Sequence, residues 1–513
     1  MEVNTHVFRH GVASGDPLQD RVIIWTRVSH SADRPAGVTW TVASDPGLQD
    51  VVATGEHEAR PEDDLTVKVD VTGLEPNTSY YYSFECMGQR SPIGRTKTLP
   101  GEGAEHLRFG MYSCAKFSAG YFNGYARLAD RLDLDFVLCL GDYIYEYGND
   151  EKGLGATIGR AFEPAHECRT LDAYRTRYSQ YRRDPDVQAV HRQHPFIAIP
   201  DDHEFCNDTW REGAGKHDPA QDGPWEDRKN AALQAYREWL PIRLQSGRED
   251  ILWRSFPIGD LAHLVLLDTR TQRDKQEKPP RSLAEDRTLL GKEQFDWFTS
   301  ELKGAKSTWR IVGNGVMIGQ VKSDLMPEDL DDPLSELGVI TAEDHGPEPD
   351  QWDGYPAERK RLLSDVKRND VRNIVFLSGD VHSAWAMDLK LDPHDPEEDA
   401  IAVEFATTSM TSENLDDEMG WEPRTESLQV EREIVADNPH IHWAELDSHG
   451  YVVVDVNHDR VQADWYFVED ILAPNPSERL GESWQVLEGE HQVRHADGPA
   501  PQRATFAAPA LDA

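Results

Sequence analysis

From residue 105 onward, short apolar runs alternate with amphipathic helical stretches, and this alternation limits the chain to few architectures. Residues 107–112, 136–140, 196–199, 264–267, 310–312 and 373–377 predict strands, and residues 122–132, 171–191, 227–240, 292–302 and 356–367 predict helices. Strands of this kind belong to an α/β domain whose sheets are covered by helices. Such sheets place ligands beyond the carboxyl ends of their strands, so the chemistry is to be sought where each strand stops.

Four strands stop at polar junctions: Tyr112-Ser-Cys114, Gly141-Asp142-Tyr-Ile-Tyr145, Pro200-Asp-Asp202-His203-Glu204 and Ser378-Gly-Asp380-Val-His382. One such junction is ordinarily a turn. Four in one sheet fold converge on one crevice. Taken singly, Cys114 reads most simply as a buried small hydrophobe, as Cys139 does inside its apolar run. Asp142, directly after a glycine, reads either as a turn residue or as a carboxylate placed to bridge two cations, and the second reading is favoured. Tyr145 alone would be a core aromatic. His203 lies among Asp201, Asp202 and Glu204, three carboxylates that are costly to bury unpaired. His382 follows Asp380 by two residues and points to the same side of an extended backbone.

The first hundred residues read differently. Runs at 21–28, 38–43, 65–71 and 80–85 are rich in β-branched and aromatic residues and predict a small β-sandwich. Within it, Leu74-Glu-Pro-Asn-Thr-Ser-Tyr80 resembles a corner in which a tyrosine hydroxyl meets nearby backbone. Pro and Gly at 99–104 suggest a boundary, giving an N-terminal sandwich over 1–100, a larger domain over 101–475 and a tail over 476–513. Two acidic, Pro-rich stretches at 324–349 and 392–399 are expected as surface insertions. With 93 Asp and Glu against 53 Lys and Arg the formal charge is −40, which disfavours nucleic acid and anionic membranes as partners. Five cysteines make no disulfide framework. No apolar run approaches a membrane span, and the start Met-Glu-Val-Asn-Thr-His has neither a basic nor an apolar leader region, so the chain as given is expected to be soluble and without an address.

The order Gly-Asp-x-x-Tyr, x-Asp-His-Glu, Gly-x-x-His resembles the calcineurin-like metallophosphoesterase signature as purple acid phosphatases carry it, with Cys114 where those enzymes usually have aspartate. The cysteine, with Phe8-Arg-His-Gly-Val-Ala-Ser-Gly-Asp16, Leu267-Asp-Thr-Arg270, Trp352-Asp-Gly-Tyr-Pro-Ala-Glu-Arg359 and Glu404-Phe-Ala-Thr-Thr-Ser, is similar to the PhoD-like branch of alkaline phosphatases and phosphodiesterases, over residues 7–468. The resemblance implies a four-layer αββα metallophosphoesterase sandwich preceded by a fibronectin/Ig-like β-sandwich, and a centre of ferric iron with calcium. Iron would fall to Cys114, Asp142, Tyr145 and His382, and Asp142 would bridge to calcium held by Asp202 and Asp380. A second calcium is implied too, with Asn207 as its candidate ligand. Asn314-Gly315 stands where the family has Asn-Gln.

The implied reaction is attack of a metal-bound hydroxide on the phosphorus of a small mono- or diester, without a covalent intermediate. His203 is the candidate proton donor or organiser, and Arg270 and His440 are further candidates that read equally well as structural hydrogen-bonders. Two alternatives stand beside this reading. The same centre would serve a phosphotriester or an anhydride, or the chain would be a binding protein with a relic metal site. Family members are often exported.

Overall fold

Apolar residues on both faces of successive strands make two sheets share one core. In the strand Phe136–Cys139, Phe136 and Leu138 enter a cluster with Leu264, Ile311 and Val375 of a second sheet, while Val137 and Cys139 face the other way, onto helices. The period of two decides which residue goes where. The computed structural model describes residues 6–30, 34–149, 155–321, 334, 349–393, 395 and 397–509.

The first sheet has ten strands, in the order Arg494–His495, Glu478–Leu487, Arg460–Val468, Gly450–Asn457, His106–Tyr112, Phe136–Cys139, Pro195–Ala198, Val12–Gly15, Arg21–Arg27 and Thr66–Thr72. The second has seven: Arg254–Ile258, Ala262–Leu266, Trp309–Asn314, Ile374–Ser378, Ala402–Ala406, Ala384–Leu389 and Ile441–Glu445. Helices Leu171–Arg182, Pro185–Gln193 and Trp225–Trp239 cover the outer face of the first sheet, packing Tyr174, Val187 and Tyr236 onto it. Gly291–Gly304 and Pro356–Arg368 cover the second with Phe298 and Leu362 against Val265, Val312 and Phe376. The result is the four-layer αββα sandwich. The single helix expected over 171–191 is two helices, because Pro185 lacks the N–H a continuous helix needs and Asp184 caps the second one through its side chain.

The N-terminal sandwich grows out of the large sheet. One wall is Arg21–Arg27 with Thr66–Thr72, contributing Val22, Ile24, Val67 and Val71; the other is a separate five-stranded sheet containing Ala36–Ala43 and Ser79–Cys86, contributing Val38, Val42, Tyr82 and Phe84. Its corner is closed by Tyr80, whose hydroxyl accepts from the Glu75 N–H at 2.9 Å. At the expected border at 100 the chain passes from the five-stranded sheet, through residues 98–105, into the ten-stranded one, and at 475 the paired strands Arg460–Val468 and Glu478–Leu487 flank the border. The stretch 324–349 lies outside the described residues except for Leu334 and Pro349. Among the described residues no helix is long and apolar enough to cross a membrane, and all five cysteines are buried free thiols.

Beyond Ala473 the chain does not trail away. Glu478–Leu487 pairs along Arg460–Val468, and the last described residues then strap the two regions together. The Arg503 guanidinium donates to Asp135 at 2.9 Å, and the Phe506 N–H donates to the Leu132 carbonyl at 2.8 Å. From the sandwich side, Tyr81 donates to the Ala507 carbonyl at 2.7 Å, and Arg95 and Lys97 stand over the Phe506 ring at 4.4 and 4.6 Å. Two cation–π contacts of this kind are together worth about 1–2 kcal/mol. Phe506→Ala is expected to lower the thermal midpoint by that equivalent, and deletion of residues 499–513 to lower it further, as scanning calorimetry would read.

Candidate metal centre

The four polar junctions named by the sequence meet above the carboxyl ends of the two sheets. Three of them hold a residue in a backbone conformation that non-glycine residues rarely adopt: φ is 56° at Cys114, 54° at Asp142, and 71° and 45° at Asp380 and His382. Such strain persists only where the surroundings over-determine it. Here the Ala115 N–H donates to the Asp142 carbonyl at 3.0 Å, and Met410 N–H donates to the Ser113 carbonyl at 2.9 Å, tying loops of both sheets together. Glu204 supplies the strongest tie. Its buried carboxylate accepts from the backbone N–H groups of Asp201, Asp142 and Tyr143 at 2.6, 3.1 and 2.6 Å. Gly141 permits the approach, since a Cβ there would lie 2.4 Å from that of Asp201.

Two donor sets share Asp142. In the first, Cys114, Asp142 and His382 offer ligand atoms within 4.8 Å of one another. The Tyr145 hydroxyl joins them, 3.0 Å from Asp142 Oδ2 and 3.4 Å from His382 Nε2, and Ser412 donates to it at 2.7 Å. His382 Nδ1 donates to the Glu413 carbonyl at 2.9 Å, which leaves the Nε2 lone pair facing the set. In the second set Asp142, Asp201, Asp202 and Asp380 offer carboxylate oxygens within the same span. The buried Oδ1 atoms of Asp142 and Asp202 have no hydrogen-bond partner. Unsatisfied buried carboxylate oxygens are costly, and a cation between them removes the cost. Sulfur, imidazole nitrogen, phenol and carboxylate suit a transition metal in the first set, and oxygen alone suits a hard cation of flexible coordination in the second.

Electrostatics point the same way. Burial pushes the Asp142 carboxyl up to about 8, with repulsion from Asp202 and Asp201 adding to it against His203 and Arg270. Burial and the Asp142 and Asp380 charges raise the Cys114 thiol well above its ordinary range, and burial with the same Asp142 charge raises Tyr145. Burial lowers His382 to about 4. For His203 burial acts downward, and Asp202, Glu146 and Asp142 together overcome it and lift the ring well above the usual value. The crevice holds more negative charge than its own side chains balance.

The remaining candidates are distributed unevenly. His203 stacks on Tyr145 with centroids 4.1 Å apart, and its Nδ1 meets Glu146 Oε2 at 2.7 Å. The Asn207 side-chain oxygen accepts from the Tyr147 hydroxyl at 2.5 Å, at the rim. Arg270 is fully buried behind the second set: it bonds both oxygens of Asp201 and of Asp350 and reaches Asp380 Oδ1 at 2.9 Å. His440 is not brought to the cluster; its Nε2 sits 2.8 Å from the Gln320 carbonyl, below the pairing of Ala384 with Glu445 that lies nearer the site. Residues the sequence did not single out complete the frame. Asp350 takes Arg270 and Arg273, Gln351 donates to Asp380, and Glu146 holds His203. Glu204 closes the Asp-His-Glu motif and Glu146 directly follows the Gly-Asp-x-x-Tyr one, so their signal was adjacency; Asp350 and Gln351 precede Trp352-Asp-Gly, a motif whose role appears only once it is folded against Asn314 through the Trp352 indole at 3.2 Å. Gly315 is explained as well, because a Cβ there would lie 2.7 Å from Thr269 Oγ1 and 2.9 Å from Asp201 Oδ1.

With this geometry in hand, comparison with known proteins is informative along the whole chain. The PhoD-like phosphatase family model matches residues 109–465, and the model of the N-terminal domain of PhoD-like phosphatases matches residues 1–100. Alkaline phosphatase D of Bacillus subtilis (strain 168) is 34% identical over 490 residues, which is 92% of this chain and 79% of that protein. A solved structure of PhoD is 32% identical and superposes with a TM-score of 0.85, covering 98% of this chain and 95% of the other.

The Glu204 clasp yields a direct expectation. Glu204→Gln keeps the shape but turns an NH2 group toward N–H donors, at a cost of about 1–3 kcal/mol. Purified Glu204→Gln protein is expected to bind metal about tenfold more weakly, read by elemental analysis after dialysis, with the strained Asp142 loop loosened. Full metal content in this variant would show that the clasp is dispensable.

Proposed function

The chain belongs to the PhoD-like phosphatase family and is a phosphoester hydrolase, and from that premise we propose that its centre cleaves phosphate mono- and diesters with ferric iron in the mixed donor set and calcium in the carboxylate set. The observation that carries the assignment is Asp142, shared by both sets and buried with one oxygen unpartnered. Cys114, Asp142, Tyr145 and His382 would hold iron, and Asp142, Asp202 and Asp380 calcium. Bound cations would supply Lewis acidity toward the phosphoryl oxygens and lower the pKa of water.

The chain's own groups do the rest. His203 keeps a proton for the departing alcohol: Glu146 fixes its Nδ1 side and the stack on Tyr145 fixes the ring plane. Arg270 acts as a positioning residue, since its guanidinium is spent on Asp201, Asp350 and Asp380 and has no edge to offer a substrate. Asn207, with its oxygen on Tyr147, lies beside the carboxylate set as a rim ligand for a further calcium. His440, with its Nε2 against the Gln320 carbonyl at 2.8 Å, has no part in the centre. A small phosphate ester is the partner this arrangement suits.

Metals and substrate class are tested together. The purified protein should contain iron and calcium and show a visible charge-transfer band that Tyr145→Phe bleaches or shifts. A calcium-selective chelator should stop hydrolysis of nitrophenyl mono- and diesters while leaving the band, and calcium, not zinc, should restore it. A colourless, iron-free preparation with full activity would remove iron from the assignment, and preference for a triester would move the substrate class.

His203 generates a separate expectation, because a poor leaving group needs the proton and a good one does not. His203→Ala should slow alkyl esters by about 10²- to 10⁴-fold and nitrophenyl esters far less. Equal losses on both would make His203 an organiser only.

A further inference from the structure

Next to His203, and edge-on to it, stands Tyr147, with ring centroids 4.9 Å apart and 6.1 Å from that of Tyr145. Tyr147 is half-buried, and with Asn207, Asp380, His382 and Glu413 it belongs to the part of the centre that reaches solvent. Two ammonium groups flank its ring: Lys216 Nζ at 4.4 Å and Lys116 Nζ at 5.6 Å from the centroid. Lys116 is buried and held by both oxygens of Glu413 at 2.7 and 2.9 Å, so part of its charge is spent. Lys216 is exposed. Its place is fixed by a loop that turns back on the site: Trp210 and Gly213 pair across it, and the Gly215 N–H donates to the Asn207 carbonyl at 2.9 Å. The loop thus delivers a lysine beside Asn207 in a chain whose formal charge is −40.

We propose that Tyr147 and Lys216, backed by Lys116, form the subsite for the organic group of the ester and favour esters in which that group carries a further negative charge. This rests on the reading of the centre as the ester-hydrolysing site. A half-exposed ring covers the apolar part of an organic group, and an ammonium already lying at its face attracts an anionic end. A chain with a formal charge of −40 repels such a substrate at long range, so a local positive focus at the mouth decides whether it docks.

The experiment uses the metal-loaded full chain and two matched p-nitrophenyl phosphodiesters, one retaining a propyl group and one a carboxypropyl group. The readout is the ratio of kcat/KM for the anionic ester to that for the neutral one. Lys216→Met is expected to lower the ratio about fivefold, the scale of one exposed ion pair, acting in KM. Lys216→Glu should lower it further, Lys216→Arg should restore it, and 0.5 M salt should reduce it in the unaltered enzyme. Tyr147→Leu should raise KM for both esters. Elemental analysis and thermal midpoints establish that each variant is loaded and folded. A ratio unchanged in Lys216→Glu overturns the subsite while leaving the hydrolase reading intact. An unaltered enzyme that cleaves neither ester overturns both.

Discussion

The structure depends on one electrostatic constraint: carboxylates are concentrated in a buried crevice where each raises the cost of ionising the next. Asp142, Asp201, Asp202 and Asp380 offer oxygens within 4.8 Å of one another, and Asp350 stands just behind them on Arg270. Water cannot screen them there. The fold answers with a fully buried arginine. Arg270 takes both oxygens of Asp201 and of Asp350 and one of Asp380, and Arg273 adds a second cation on Asp350. Removing Arg270 would leave carboxylates buried and unpaired, a change of the kind that costs about 3–5 kcal/mol.

The double sheet makes that concentration possible. Parallel strands from two sheets end at the same rim, so loops remote in sequence are brought within hydrogen-bond reach: Ser113 pairs with Ser409 across the sheets, and Gly379 N–H donates to the Gly315 carbonyl at 3.1 Å. The inter-sheet core of Phe109, Leu138, Ile311, Phe405 and Trp465 keeps both rims level. Because the N-terminal strands continue the first sheet, the sandwich stiffens it at one edge. The Asp16 carboxylate makes that edge rigid by accepting from the Arg243 N–H at 2.6 Å and from Arg254 at 2.9 Å.

Much of this was legible in the sequence, and for physical reasons. Strand runs apolar on both faces, followed at once by Gly-Asp or Asp-His, specify a covered strand and a polar loop locally, so Asp142, Asp202, His203, Asp380 and His382 stood out at strand ends without tertiary information, whereas Cys114 and Tyr145, bland on their own, were singled out by the family resemblance. The Pro185 break was visible in principle and was outweighed by the helical period on either side. What stayed hidden depends on contacts distant in sequence. The Arg270 contact with Asp350 spans 80 residues and that of Gln351 with Asp380 spans 29, and nothing local to any of them announces a partner. The strand Glu478–Leu487 was hidden because its composition is polar on the exposed face and it gains its order from pairing with Arg460–Val468.

The same long-range contacts bear on metal selectivity. Arg270 and Gln351 engage the two oxygens of Asp380, and Arg270 saturates Asp201, so neither carboxylate presents a naked pair of oxygens. Asp142 Oδ1 and Asp202 Oδ1 do remain without hydrogen bonds. A cation in the carboxylate set therefore meets the uncommitted Asp142 Oδ1, the Asp202 Oδ1 that faces Arg270 at 3.5 Å without a hydrogen bond, and others already shared with hydrogen-bond donors. A small ion that demands a rigid, complete shell is poorly served by such a set. A larger ion with loose angular demands accepts shared oxygens and completes its shell from water or from the ester itself. The guanidinium that offsets the carboxylate charge without a metal is thus also what supports the proposal of calcium for this set.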